Sequence, residues 1–311
     1  MTYAPIVVFA YRRPDHLQRA LASLIACEGF AKSPVIVYCD GAKNSDDTVD
    51  VEKTRLVARE MLGDAAEYRF SPSNQGLSAS VIAGVTEVLQ RFGKVIVVED
   101  DLLLAPNFLS YMNAALEQYQ NDQSVFQVSG YMFDTPELVG REQAMFLPLT
   151  VSWGWATWQR AWRHFDASAA GWERLLSDKK LRKKFDVDGI YGYSTMLVRQ
   201  MMGQRDSWAV RWYWSAFQHQ ALTLFPPTTL VSNFGFDGSG SHGRGTFRRF
   251  DSVSKEGASN ELSLPDLIGI DGNDYAIVKS SLRRANGRWF GAVVDSLRWM
   301  ATKTYSRRRA K

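Results

Sequence analysis

A chain of 311 residues with 45% apolar side chains has the material for one large α/β domain or two modest ones, and that composition excludes general disorder. Two cysteines, Cys27 and Cys39, are too few for a disulfide framework and match no metal-ligand spacing, so both are expected to be buried thiols in a reduced, cytosolic compartment. The net charge of +4 is mild and leaves nucleic acid, anionic lipid and nucleotide-sugar partners open, while no apolar run reaches the roughly 18 residues of a membrane span.

Pro5 to Ala10 reads as a short apolar strand ending at Tyr11-Arg12-Arg13. Pro14 then opens a helix with Leu17, Ala20, Leu21, Leu24 and Ile25 at the spacing of one buried face. Val35 to Tyr38 is the next strand and ends at Cys39-Asp40-Gly41. A polar helix over Thr48 to Leu62, a short strand around Tyr68-Arg69-Phe70 and a turn at Ser73-Asn74-Gln75-Gly76 follow. The next helix carries Val81, Val85, Val88, Leu89 and Phe92 on one side, and the strand Lys94 to Val98 closes on Glu99-Asp100-Asp101. Beyond Pro106 a helix runs to about Tyr119, Val125 to Val128 is a strand, and from Val151 the chain becomes dense in tryptophan. The glycine-rich stretch Gly235 to Gly243 reads as a loop. This alternation predicts an α/β fold, a Rossmann-like and mostly parallel sheet flanked by helices. It divides into a nucleotide-binding half (1–105), an acceptor-binding and catalytic half of the same domain (106–250) and a C-terminal extension (251–311).

In such sheets ligands bind beyond the carboxyl ends of the strands, so Tyr11-Arg12-Arg13, Asp40 and Glu99-Asp100-Asp101 are expected on one rim. The acidic run is the strongest chemical feature. Desolvation and mutual repulsion oppose ionisation of adjacent carboxylates, and a hard divalent cation relieves both. Mg²⁺ or Mn²⁺ in such sites takes one or two carboxylates, with substrate phosphates completing its shell. Arg12 and Arg13 suit a phosphate or a base edge, or simply solvent. Asp40 suits a ring N–H, a ribose hydroxyl, or the capping of a turn. No Walker pattern and no dinucleotide-type glycine loop is present.

The segments Pro5 to Arg13, Val37 to Gly41 and Val97 to Phe108 together resemble A-fold glycosyltransferases, in particular enzymes similar to N-acetylglucosaminyltransferase I and its bacterial relatives. Ser152-Trp153-Gly154-Trp155-Ala156-Thr157-Trp158, Asp206-Ser207-Trp208, Asn233-Phe234-Gly235 and Gly240-Ser241-His242-Gly243 agree in order, so the resemblance spans roughly residues 4 to 245. It implies a glycosyltransferase A-type fold and a metal-dependent, inverting transfer from a nucleoside diphosphate sugar, with a UDP-sugar the expected donor. The acceptor would be a hydroxyl on a glycan or lipid-linked molecule, and no nucleic acid is implied. By matched position, Asp101 would ligate Mn²⁺ or Mg²⁺. Glu99 and Asp100 would lie near the ribose, and Tyr11, Arg13 and Asp40 would contact the nucleotide. Asn74 and Gly76 would form the donor-side turn, Trp155 the floor of the sugar pocket, and Ser241 and His242 a loop over the donor.

One departure matters. The resemblance places a catalytic aspartate between two tryptophans, where this chain has Ala209, Val210 and Arg211 between Trp208 and Trp212. Asp206 is the replacement general base expected, with Asp166 and Asp237 as further candidates. Two rival readings are a sugar nucleotidyltransferase, which would need a basic glycine-rich loop that Tyr11-Arg12-Arg13-Pro14-Asp15 does not supply, and a catalytically degenerate carbohydrate-binding protein. Near the C-terminus Trp289, Phe290, Val293, Val294, Leu297 and Met300 recur at helical spacing among arginines and lysines. This basic amphipathic pattern predicts peripheral attachment to an anionic membrane surface, on its cytoplasmic side.

Overall fold

Pro14, whose ring presets φ and which has no N–H to satisfy, stands at the head of the first helix in the computed structural model, which describes residues 3–235 and 262–286. β1 (Ile6–Ala10) runs into α1 (Pro14–Ile25), β2 (Val35–Cys39) into α2 (Thr48–Leu62), β3 (Ala66–Phe70) into α3 (Leu77–Phe92), and β4 (Lys94–Glu99) follows. α1 buries Leu17, Ala20, Leu21 and Leu24, the stripe its spacing predicts. β1 is buried at every position, as a strand covered by helices on both faces must be. It pairs in parallel with β2 and β4, and β2 pairs in parallel with β3, so the carboxyl ends of all four strands share one rim.

The second half continues with β5 (Leu102–Leu104), α4 (Phe108–Gln118), β6 (Val125–Ser129), β7 (Met145–Leu147) and β8 (Trp155–Trp158). Next come α5 (Gln159–Trp162), α6 (Arg174–Ser177), α7 (Lys179–Phe185), α8 (Tyr193–Met201) and α9 (Trp208–Gln218). β9 (Leu222–Phe225), β10 (Val231–Asn233) and α10 (Gly272–Ala285) complete the described elements. The large sheet has the order β3-β2-β1-β4-β8-β6-β9-β7. Its parallel character is strongest through β4. β8 then enters antiparallel between β4 and β6, β6 pairs in parallel with β9, and β7 runs antiparallel on the edge. The sheet therefore crosses residue 105 without a break, since β4 pairs with β8.

One face of the sheet packs α1 and α4. The other carries an aromatic layer in which Trp155, Trp162, Trp208 and Trp212 meet Phe9 and the Val81, Val85 and Val88 stripe of α3. Two of its indoles are hydrogen-bonded, Trp212 Nε1 donating to Gln127 Oε1 at 3.1 Å and Trp162 Nε1 to Thr86 Oγ1 at 2.9 Å, whereas the buried Trp155 N–H has no partner among the described residues. Cys27 and Cys39 are unbridged and buried, and burial pushes their thiols up to about 12 and about 11. Among the described residues no helix is long and apolar enough to cross a membrane.

A candidate donor site on the rim of the sheet

The acidic run turns the corner between β4 and β5, and three neighbouring segments reach it. From β1 come the Tyr11 N–H, which donates to Asp100 Oδ2 at 3.0 Å, and the Arg13 guanidinium, whose Nη2 donates to Asp100 Oδ1 and, at 3.1 Å, to Asp101 Oδ2. β4 supplies the carboxylates themselves, anchored where the Asp100 N–H donates to the Phe9 carbonyl at 3.0 Å. From the far end of the chain β10 pairs antiparallel with β5, setting Asn233 opposite Leu102. Asn233 Nδ2 there donates to Asp101 Oδ1 at 3.3 Å, and the Phe234 N–H donates to the Asp101 carbonyl at 3.0 Å.

Burial pushes the Glu99 and Asp100 carboxyls well above the usual carboxylate range, and the charge of Asp101 adds to both. Arg13 opposes that rise. Burial alone works against the guanidinium charge, but Asp100 and Asp101 more than reverse it and hold Arg13 protonated. Asp100 and Asp101 thus share one guanidinium at the end of a buried strand, with Glu99 beside them, and the cluster is rich in hard oxygen donors whose ionisation burial opposes.

Tyr11 and Arg12 are tied to a residue the sequence reading did not single out. Asp47 accepts the Tyr11 hydroxyl at 2.6 Å and Arg12 Nη1 at 2.9 Å. Burial and then the Asp47 bond raise the Tyr11 phenol to about 12. Asp40 is buried and its carboxylate is fully occupied: it accepts the N–H groups of Gly41 at 2.9 Å, Gln75 at 2.8 Å and Gly76 at 2.9 Å. Asn74 Nδ2 donates to the Gly41 carbonyl at 2.9 Å, which closes the same turn. Of the three uses open to Asp40 on sequence, the geometry observed is the turn cap, at the head of α3 where a carboxylate also suits the helix dipole.

Gly76 has φ +81°, and a Cβ placed on it would lie 3.8 Å from Asp206 Oδ2. The structure therefore brings Asp206 to the Gly76 turn from the α8–α9 connection. Its side chain is 60% exposed and Arg211 Nη2 stands 3.8 Å from Oδ1. Asp166 is committed elsewhere, capping its own turn through the N–H groups of Ser168 at 2.8 Å and Ala170 at 2.7 Å. Direct donor contact by Trp155 requires correction. The indole is fully buried, stacked on Trp208 with ring centroids 5.1 Å apart, within the aromatic layer of the sheet. Ser241, His242, Asp237 and the 289–300 pattern lie outside the described residues. Among the described residues no group of three or more His, Cys, Asp or Glu side chains forms a ready-made metal cage.

A family model described as the GNT-I family matches residues 1–184. An α-1,3-mannosyl-glycoprotein 2-β-N-acetylglucosaminyltransferase of Arabidopsis thaliana is 22% identical over 199 residues, covering 59% of this chain; the chain spans 43% of that relative's length. Among solved structures, GalNAc-T7 with UDP, GalNAc and Mn²⁺ overlays with a TM-score of 0.48 and 11% identity, over 75% of this chain and 44% of that one. Glucosyl-3-phosphoglycerate synthase from Mycobacterium tuberculosis, with Mn²⁺, UDP and glucosyl-3-phosphoglycerate, overlays with a TM-score of 0.34 and 13% identity, over 53% of this chain and 58% of that one. The family match covers the four parallel strands, the acidic run and the tryptophan segment, and on it the chain belongs to the GNT-I family, with the A-type α/β fold.

Proposed function

We propose that the protein transfers a sugar from a nucleoside diphosphate donor, a UDP-sugar, to a hydroxyl of a glycan or lipid-linked acceptor, with inversion at the anomeric carbon. The observation that carries this reading is the convergence of Arg13, Asp100 and Asp101 at the ends of β1 and β4, within a chain of this family. The surplus of carboxylate over guanidinium fits a hard divalent cation, Mn²⁺ or Mg²⁺, with Asp101 as its protein ligand and substrate oxygens making up what the protein does not supply. Such an ion stabilises the negative charge that develops on the departing diphosphate. Arg13 offers the phosphates a second positive charge, and Asp40 keeps the 74–76 turn in shape beneath them. Asp206, facing Gly76, takes the proton of the acceptor hydroxyl as general base. Trp155, Trp162 and Trp208 stack into a rigid aromatic layer from which α9 and Asp206 are held.

The test is a screen of nucleotide sugars for thermal stabilisation with and without Mn²⁺, followed by nucleoside diphosphate release from the best binder. Stabilisation by a UDP-sugar that requires Mn²⁺, with turnover on an acceptor, supports the reading. Stabilisation without any turnover on a panel of acceptors supports the binding-protein rival instead.

Peripheral attachment to the cytoplasmic face of the membrane belongs to the same proposal. It rests on the basic amphipathic pattern over 289–300 and on the exposed Lys179, Lys180, Lys183 and Lys184 of α7. Co-sedimentation with anionic vesicles, comparing the full chain with one truncated after Arg284, checks it; equal pelleting of the two forms at low salt would refute a role for the C-terminal pattern.

A further inference from the structure

Both oxygens of Asp101 are engaged. Oδ1 accepts from Asn233 Nδ2 at 3.3 Å and Oδ2 from Arg13 Nη2 at 3.1 Å. Asn233 is itself fixed, since its Oδ1 accepts the Gly235 N–H at 2.8 Å and its backbone is held against β5. Gly235 closes a further side: a Cβ there would lie 2.3 Å from Asp101 Oδ2 and 2.9 Å from Arg13 Nη1. The approach to Oδ2 is the one the guanidinium already takes, bonding Asp100 as well. A divalent cation on Asp101 needs the same lone pairs and neutralises the same charge, so Arg13 and the cation compete. A guanidinium fork fits two phosphate oxygens as well as it fits two carboxylate oxygens. Arg13 also lines an open groove of about 510 Å³ between α1 and α2, which gives its side chain room to leave Asp101 without repacking the core.

We propose that Arg13 is an internal counter-ion that makes cation binding at Asp101 conditional on a nucleoside diphosphate. The guanidinium passes from Asp100 and Asp101 to the phosphate oxygens, and Asp101 so released takes the cation. This rests on the glycosyl-transfer reading, with Asp101 as the cation ligand. By linkage, diphosphate and cation must raise each other's affinity by the same factor.

The experiment measures Mn²⁺ binding to the full chain by the electron paramagnetic resonance of free Mn²⁺, with and without UDP. The forms compared are wild type, Arg13→Gln and Arg13→Lys, with circular dichroism to confirm folding. Wild type is expected to bind Mn²⁺ about tenfold or more tightly when UDP is present. Arg13→Gln is expected to bind Mn²⁺ alone more tightly than wild type and to gain little from UDP. Arg13→Lys, which keeps the charge, is expected to restore weak binding in the absence of UDP. Arg13→Gln that binds Mn²⁺ alone no more tightly than wild type, with its UDP response intact, overturns the counter-ion role and leaves the transfer reading standing. Mn²⁺ that binds no form under either condition overturns the cation reading and this proposal together.

Discussion

On the proposed nucleotide side of the candidate site Arg13, Asp40, Asp100 and Asp101 each hold at least two hydrogen bonds and are largely withdrawn from solvent, whereas on the proposed acceptor side Asp206 is 60% exposed, with Arg211 Nη2 3.8 Å away. The first arrangement follows from strand geometry. Parallel strands that end together present backbone N–H groups and short side chains to one another, so charge is fixed before any ligand arrives. The second follows from a connection between helices laid over an aromatic layer, where shape is rigid and the carboxylate is not. On the proposed transfer reading, fixed charge lies beside the leaving diphosphate, where preorganisation is worth most, and Asp206 is left to be positioned by the acceptor itself.

The largest effect expected lies on the rigid side. Asp101→Asn keeps the shape and the Asn233 and Arg13 neighbourhood but removes the charge, and should lower turnover by about 10²–10³-fold, the range for loss of one preorganised charge-stabilising group. The thermal midpoint should hold within a few degrees, because the change also relieves repulsion from Glu99 and Asp100. Excess chelator on wild type should reproduce the loss; undiminished turnover in chelator would remove the cation from the mechanism.

Next in size is the looser side. Asp206→Asn should lower kcat by about 10²-fold, the low end for a general base, while donor affinity stays near wild type. Binding measured by calorimetry alongside kinetics separates the two. A normal Asp206→Asn with an inactive Asp166→Asn or Asp237→Asn would move the base away from the α8–α9 connection.

The rigid side was also the legible one. Its strands announce themselves as short β-branched runs, α1 by the Leu17, Leu21 and Leu24 stripe, and the rim by three strand ends that carry charge. What the sequence could not carry is register between distant segments. Asn233 reaches Asp101 across 132 residues because β10 pairs with the three-residue β5, and neither strand is long enough to show a period. The burial of Trp155 was hidden for a related reason: an exposed tryptophan and a buried one share the same local pattern, and only the packing of Trp208 from α9 tells them apart. Asp40 at a strand end fits a ligand and a cap equally well until the N–H groups of Gln75 and Gly76 are seen pointing at it.

That ambiguity sets the third prediction. Asp40→Asn leaves one acceptor oxygen and turns an amide N–H₂ toward backbone donors, which should cost about 1–3 kcal/mol of stability by denaturant unfolding. Donor affinity should fall only as the turn loosens. Unchanged stability with donor binding abolished would instead make Asp40 a nucleotide contact and a ligand-side charge.

The smallest effect is expected at Arg211, and it measures how loose the acceptor side is. Its Nη2 stands 3.8 Å from Asp206 Oδ1, past hydrogen-bond range, and the carboxylate is mostly in water. Its remaining bonds are long: Nε to the Ser207 carbonyl at 3.3 Å and Nη1 to the Ala167 carbonyl at 3.5 Å. Burial works against the guanidinium charge, and Asp206 restores part of it. An ion pair with one solvated member is worth about 0–1 kcal/mol, so Arg211→Ala should shift stability by less than about 1 kcal/mol. Turnover should change by only a few fold, with little dependence on salt. The decisive measurement is a double-mutant cycle with Asp206→Asn on turnover, where a coupling below about 0.5 kcal/mol is expected for groups this weakly joined. A coupling above about 1.5 kcal/mol would show that Arg211 holds Asp206 as firmly as Asn233 and Arg13 hold Asp101. The catalytic carboxylate would then be preorganised on both sides of the site, and the acceptor would no longer be what positions it.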